Sequence, residues 1–313
     1  MRLLIALGGN AMTSADGQAR PEDQQAAVGW AMQAVADLVV AGHEIVLTHG
    51  NGPQVGNLLL KNEMAAAVVP PVPLDWCGAQ TQATIGMLML DALDKALARR
   101  SSPVRSAALV SRTLADRDDP AFAAPTKPIG RYVSADEARP MIEHGQHWVD
   151  LGIRGWRRVV ASPEPEECLD VGAAVTLLDA GYVVVCSGGG GIPTVSDGEQ
   201  GYAGVEAVID KDLTAALLGT QLQVDRLIIA TDVEAAVVGF GTPDARPLGE
   251  VTVSELRAFA ADGHFAAGSM GPKVEAVCRF VERTGRIGVI TALPHIEAAV
   301  AGAIGTRVVP ASP

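Results

Sequence analysis

Three observations predict an α/β fold with a largely parallel sheet. Short apolar strands alternate with helical segments along the whole chain. The clearest strand, Leu3-Leu4-Ile5-Ala6-Leu7, is continuously apolar, as a strand covered on both faces must be. Three strands also run directly into glycine turns, after Leu7, Thr48 and Cys186, which in such a sheet fall at the carboxyl edge where ligands bind.

The first strand ends in Gly8-Gly9-Asn10-Ala11. Ala27, Trp30, Ala34 and Leu38 then repeat at helical spacing over residues 22 to 41, and Gly42 marks the C-terminal stop. Residues 45 to 48 form the second strand, followed by His49-Gly50-Asn51-Gly52-Pro53 and a helix over 54 to 67. The segment from Val68 to Pro73 must be extended, because proline lacks a donor and biases its predecessor away from helix. A longer helix (78 to 99) and a strand (104 to 110) follow. From Ser111 to about Gly155 there are four prolines and no clean hydrophobic period, so this stretch is predicted to project from the main sheet as a small subdomain. The chain returns to the main sheet through a strand at 158 to 161, followed by the rigid turn Ser162-Pro163-Glu164-Pro165 and a helix over 170 to 180.

Val183 to Cys186 form the next strand, which runs into Ser187 and four consecutive glycines. Asp210-Lys211-Asp212 then enters a helical run to Leu218, and the strand 226 to 230 ends at Thr231-Asp232. Thr252-Val253-Ser254-Glu255 has capping-box spacing for a helix to about Ala261. Gly268 to Lys273 opens another helix, with Pro272 suited to its first position and Lys273 beside its N-terminal N–H groups. A strand at 287 to 291, a short helix and a strand at 306 to 309 complete the alternation, without internal repeats.

Composition narrows the function classes. The 313 residues, 48% of them hydrophobic, suffice for one large α/β domain or two smaller ones. The formal net charge is −12 with no basic block, which disfavours nucleic-acid binding. Cys77, Cys168, Cys186 and Cys278 lie far apart without a Cys-x-x-Cys pair, so reduced thiols are expected. The apolar run after Met1-Arg2 breaks at Gly8-Gly9, and no run approaches the roughly 20 residues of a membrane span. A cytoplasmic protein without signal peptide or membrane segment is the expectation.

The P-loop spacing, the G-x-G-x-x-G fingerprint and the G-x-S-x-G elbow are all absent. His144 and His147 lack companion ligands, so no metal site is predicted. His49, beside a glycine turn, fits either a site residue or a backbone anchor. The turn from Gly188 to Gly191 leaves backbone N–H groups for an anion, or is simply a tight turn, and Gly188 and Gly189 are its candidate site residues. Lys127, Lys211 and Lys273 each lie near Pro, Gly or Asp at a loop or helix start. Any one alone reads as a solvated surface cation; together they fit phosphoryl transfer, which needs neutralised, positioned oxygens.

These motifs carry a resemblance. Ala6 to Ala11, His49 to Asn57 (HGNGPQVGN), Pro125 to Gly130 (PTKPIG), Ser187 to Pro193, Gly204 to Leu213 (GVEAVIDKDL) and His264 to Ala276 (HFAAGSMGPKVEA) are similar, in one collinear order, to the motifs of the carbamate kinases of the amino-acid kinase superfamily. The resemblance implies a single domain over 1–313, built as a three-layer αβα sandwich around a mainly parallel, roughly eight-stranded open sheet. It also implies a protruding substrate-side subdomain at about 112–156, a nucleotide-binding half at about 182–313, and a homodimer. The implied reaction is reversible phosphoryl transfer between ATP and carbamate to give ADP and carbamoyl phosphate, run towards ATP in catabolism, with Mg²⁺ held mainly by the nucleotide phosphates. A related kinase acting on another small carboxylate or phosphate, or a non-catalytic ligand-binding homologue, are the alternatives.

By motif, Lys127, Lys211, Asp212 and Lys273 would be catalytic, with Asp212 holding two lysines and Lys127 reaching over the substrate. Gly8, Gly9, Asn10, Gly50, Asn51, Gly52, Gly188 and Gly189 would line the phosphoryl group and carbamate. Asp210, Thr231, Asp232, Val233 and Met270 would belong to the nucleotide side. Many acyl-phosphate kinases of the superfamily carry lysine two residues before the first glycine; here that position is Ala6, which places more of the load on Lys127 and Lys211. Other departures are Ala83-Thr84 in place of Gly-Met, Arg131 and Ala161 where proline is common, and Val237 and Gly239 in place of an aromatic residue and an asparagine.

Overall fold

The computed structural model describes residues 1–8, 20–199, 201–266 and 268–311. Gly9 and Asn10 therefore lie outside the described residues. The central sheet has eight strands: β1 (Arg2–Leu7), β2 (Glu44–His49), β3 (Ser106–Ala108), β4 (Val183–Val185), β5 (Arg226–Thr231), β6 (Glu250–Thr252), β7 (Ile287–Ala292) and β8 (Thr306–Val309). Their spatial order is β6-β8-β7-β5-β1-β2-β4-β3. The six strands from β7 to β3 run parallel; β8 turns antiparallel to β7, and β6 follows β8.

Alternate residues of each strand feed opposite layers, because successive side chains point to opposite faces. Leu3, Ile5 and Leu7 of β1, with Ile45 and Leu47 of β2, pack against α1 (Pro21–Val40), α3 (Leu74–Arg99) and the short C-terminal helix Ile296–Val300. Leu4, Ala6, Val46, Leu227 and Ile229 face the other layer, formed by the helices Val171–Asp179, Lys211–Gln221, Val253–Ala261 and Met270–Thr284. Both faces of β1 are thus fully buried, which explains its unbroken apolar run. The result is a three-layer αβα sandwich. A one-residue slip of β1 would exchange its two side-chain sets, so burial fixes the register Leu3↔Ile45 and Leu7↔His49.

Several boundaries differ from the sequence reading. The helix expected from residue 78 begins at Leu74, directly after the extended Pro73, and α2 (Gly52–Ala65) begins two residues before the expected 54. The strand expected over 104–110 shrinks to β3. Pro272 is the third residue of its helix, which opens at Met270. Gly42, with φ +85°, does follow the end of α1, and the Thr252–Glu255 capping box is present in both directions.

The stretch from 111 to 155 holds more regular structure than its sequence displays. Lys127–Val133, Trp148–Asp150 and Trp156–Val160 form a three-stranded antiparallel sheet, so the strand expected at 158 to 161 belongs to the projection and does not rejoin the main sheet. The helix Ala135–Glu143 between two of these strands is started by a full Ser134–Glu137 capping box. In the first strand only Ile129 and Val133 are buried, so no hydrophobic period marks it. Arg112–Leu114 joins a separate four-stranded sheet with Glu167–Cys168, Ile192–Ser196 and Tyr202–Gly204.

Candidate active site

The neighbours β5, β1, β2 and β4 end side by side at Thr231, Leu7, His49 and Val185, which brings the glycine turns to one edge. Not every glycine N–H there is available to a ligand. Gly8 donates to Ala230 O at 3.0 Å and Gly50 to Leu7 O at 2.9 Å, extending the sheet. In the third turn the N–H groups of Gly188 and Gly189 make no hydrogen bond among the described residues, so they are the open donors.

This turn is held from beneath by buried side chains. Ser187 sits in the left-handed region at φ +52°, and Gly189, Gly190 and Gly191 follow at +68°, +92° and +83°. Thr48 Oγ1 donates to Ser187 O (3.0 Å), Gln82 Nε2 to Gly188 O (2.9 Å) and Thr214 Oγ1 to Gly190 O (3.0 Å). Ser187 N donates to Ser111 Oγ at 2.7 Å, and Gln82 also bonds both the N–H and the C=O of Ser111. A Cβ on Gly188 would lie 2.2 Å from His49 Nε2, and one on Gly189 would lie 2.1 Å from Asn51 Nδ2. The glycines are required by close approach to the second turn as much as by their own dihedrals.

His49 is buried, and its Nδ1 lies 3.0 Å from Gly50 O. A carbonyl only accepts, so Nδ1 carries the proton and Nε2 is left without a partner. Burial lowers its pKa to about 4, with the Gly50 hydrogen bond opposing and the Lys211 charge assisting the shift. His49 is therefore neutral and anchors the backbone of the turn. Asn51 Nδ2 donates to Thr81 Oγ1 at 2.8 Å, and Thr81 in turn to Gly78 O.

The lysines converge on two carboxylates at the start of the helix Lys211–Gln221. Asp210 is its N-cap: Oδ1 accepts from Asp212 N (2.9 Å) and Leu213 N (3.3 Å), and Oδ2 accepts from Lys127 Nζ at 2.6 Å. Asp212, only 3% exposed, accepts from Lys211 Nζ at 2.5 Å and from Lys273 Nζ at 3.1 Å. Burial is the largest influence on the Asp212 carboxyl and pushes its pKa up. The charges of Lys211 and Lys273, with their hydrogen bonds, outweigh it and hold the group below the ordinary carboxylate range. Lys127, Asp210, Lys211, Asp212 and Lys273 thus form one connected cluster drawn from three elements.

The remaining sequence candidates are placed apart from that cluster. Thr231 and Asp232 line a cavity of about 440 Å³ with Trp30, Glu234, Leu293 and His295, and none of the three lysines lines it. Thr231 Oγ1 donates to Asp232 Oδ1 at 3.0 Å. Val233 is half-buried beside them. Met270 is the first residue of the helix that carries Lys273 and packs against the core. Among the described residues no group of three or more His, Cys, Asp or Glu is poised to hold a metal. The residues the sequence reading missed are Gln82, Ser111, Thr48 and Thr214; the polar pair Thr81-Gln82 inside an otherwise apolar helix face was the available signal.

An α/β sandwich with open N–H donors and partly buried lysines at its carboxyl edge suits a phosphate-handling enzyme, and comparison with known proteins agrees. The model of the Amino acid kinase family matches residues 1–292, and the chain belongs to that family. A carbamate kinase of Thermococcus kodakarensis is 41% identical over 312 residues, covering 98% of this chain and 99% of that protein. One of Trichomonas vaginalis is 41% identical over 313 residues, covering 99% and 100%. The solved structure of Giardia lamblia carbamate kinase bound to AMP-PNP superposes with a TM-score of 0.94 at 42% identity, covering 99% of this chain and 98% of that one. Within the family, the chain is placed among the carbamate kinases.

Proposed function

We propose that this chain transfers a phosphoryl group between ATP and carbamate, giving ADP and carbamoyl phosphate, and works towards ATP synthesis. The observation that carries the reading is the Asp212-held pair Lys211–Lys273, beside a glycine turn with two open N–H donors. In the forward direction a carbamate oxygen attacks the γ-phosphorus while the bond to the β,γ-bridging oxygen breaks and ADP leaves. Carbamate is already an anion, so no general base is required; the task is to neutralise and align oxygens. Lys211 and Lys273 supply fixed positive charge, Gly188 and Gly189 supply oriented donors, and Lys127 adds a third cation from the projecting sheet.

In this reading Gly8, Gly9, Asn10, Gly50, Asn51 and Gly52 border the transferring group and carbamate, while Asp210, Thr231, Asp232, Val233 and Met270 lie towards the nucleotide. Residues 112–156 serve as the substrate-side subdomain and 182–313 as the nucleotide half. Both carboxylates of the cluster are engaged by lysines or by the helix cap, so Mg²⁺ enters on the nucleotide phosphates. The working unit is a cytoplasmic homodimer. Four buried free cysteines suit a reducing compartment, and Met87 and Val110 remain exposed near the sheet-edge strand β3, where a second copy would cover them. The test is to mix the folded protein with carbamoyl phosphate, ADP and Mg²⁺ and follow ATP. A sample that makes ATP only with another acyl or phosphoryl donor, or none at all, overturns the assignment.

A further inference from the structure

A second cavity, of about 770 Å³, separates the projecting sheet from the main body. Leu59 and Glu63 of α2, the Pro71–Leu74 entry to α3, Phe122, and Met141 of the helix Ala135–Glu143 form its walls, with His144 and His147 at the rim. It is separate from the phosphoryl cluster. None of the lysines at that cluster lines it, and the bridge between Ala161 and Ala207, with Val208 N donating to Ala161 O at 3.0 Å, runs between Glu206 and Asp210. The volume falls within the range of about 300–1,000 Å³ typical of small-molecule sites, and the wall mixes apolar side chains with polar ones, among them Asn62, Glu63, Gln146 and Glu206.

The polar group that matters is Arg158. Its side chain is only 14% exposed, yet its guanidinium makes no hydrogen bond among the described residues. Its one charged partner is Glu206, at 3.8 Å, outside hydrogen-bond reach. Glu206 is turned aside, its Oε1 accepting from Leu74 N at 3.3 Å. A guanidinium presents five donors in a planar fork, and that of Arg158, with no acceptor in hydrogen-bond reach among the described residues, is free to take a planar oxyanion in place of water. The Arg158 nitrogens are not among the buried polar atoms sealed from solvent, so the fork opens to the cavity.

We propose that this cavity binds a small monocarboxylate with a short apolar body. Its carboxylate accepts the Arg158 fork in bidentate fashion, and its body lies against Leu59, Phe122 and Met141. A single negative charge is selected because Glu63 and Glu206 stand on the same walls and repel a dianion. The occupant touches the projecting sheet and the main body together. Arg158 lies two residues from Val160, the partner of Lys127 in the adjacent strand.

Titration calorimetry on the full chain with hexanoate tests the proposal, with acetate as a head-group control and hexan-1-ol as a body control. Hexanoate should saturate at one molecule per chain and bind more tightly than either control. Arg158→Gln should weaken it by about 10- to 100-fold, the worth of hydrogen bonds to a charged group. Arg158→Lys should restore only part of the loss, because an ammonium lacks the fork. Met141→Glu keeps Arg158 and adds a wall charge, and it too should weaken binding; it decides the question if Arg158→Gln does not fold. Absence of saturable binding, undiminished binding in a folded Arg158→Gln or Met141→Glu protein, or displacement of hexanoate by ADP or carbamoyl phosphate would each overturn the proposal.

Discussion

Asp212→Asn is the most informative perturbation of the cluster. The carboxylate is 3% exposed and holds both Lys211 and Lys273, whose side chains are 16% and 14% exposed. The amide keeps the shape but removes the charge, and one of its two heads becomes a donor facing an ammonium. Removing one member of a buried ion pair destabilises by about 3–5 kcal/mol, and the residual solvent contact of both lysines favours the lower end. At about 2 °C of Tm per kcal/mol for a large domain, about 3 kcal/mol appears as a fall of about 6 °C. Two mispointed cations should also lower kcat for ATP formation by about 10²- to 10³-fold, the usual loss for one preorganised electrostatic group. The pH dependence gives the sign. The folded pKa is depressed, so the stabilisation is fully present above the unfolded value near 4 and is lost as pH falls through the folded value. The stability gap between wild type and variant should therefore close on acidification below about pH 4. Thermal melts and coupled ATP assays measure both effects. A variant melting within about 0.5 kcal/mol of wild type, the scatter of surface substitutions, would refute the structural part. A loss of kcat below about tenfold would refute the catalytic part.

Three further outcomes follow from named contacts. Lys127→Ala should change stability by less than about 1 kcal/mol, because the Lys127 side chain is one-third exposed, while raising KM for carbamoyl phosphate and lowering kcat together; steady-state kinetics with an unaltered KM would count against a cation that reaches the substrate. Gly189→Ala must adopt φ +68° and drive a methyl towards Asn51, so chemical denaturation should show a loss of at least about 1–2 kcal/mol from the left-handed backbone alone; a neutral effect would mean the turn is not built as described. His49→Asn tests the buried imidazole: the unfolded chain takes up a proton below about pH 6.5 that the folded state refuses until about pH 4, so wild type should lose about 3 kcal/mol across that window and the variant should not. Unfolding free energies from urea denaturation that change in parallel for the two proteins between pH 7 and 4.5 would sink that account.

The sheet and its layers were legible because β1, β2 and β5 are buried on both faces and therefore unbroken in hydrophobicity. The capping-box spacing placed the helix after Thr252. Of the projecting sheet only the strand near 158 to 161 was legible; the other two bury few residues each, and Pro128 and Pro140 interrupt the pattern. The cluster of Lys127, Lys211, Asp212 and Lys273 was legible through motifs. The division of labour among the glycines was not: whether a given N–H faces a ligand or extends the sheet, as at Gly8 and Gly50, depends on strand ends that lie far apart in sequence. Gln82, nearly thirty residues from Ser111 and about a hundred from Gly188, illustrates the same limit, since a side chain that ties two distant loops carries no local signature.

Alanine at position 6 gives the cluster its asymmetry. Ala6 is fully buried in the layer shared with Leu217 and Leu218, so β1 contributes no charge to the edge. Two cations are instead fixed on one buried carboxylate at helix starts, where they have nowhere else to go. Lys127 is different: it comes from a separate sheet and rests on Asp210, whose other oxygen remains committed to the helix cap whether or not the lysine stays. With the Lys127 side chain one-third exposed, the pair is worth about 1 kcal/mol, so Lys127 can exchange Asp210 for an incoming phosphoryl oxygen without unravelling the helix behind it. In the proposed reaction the fixed pair sets the field, and the movable third cation completes it only when substrate is present.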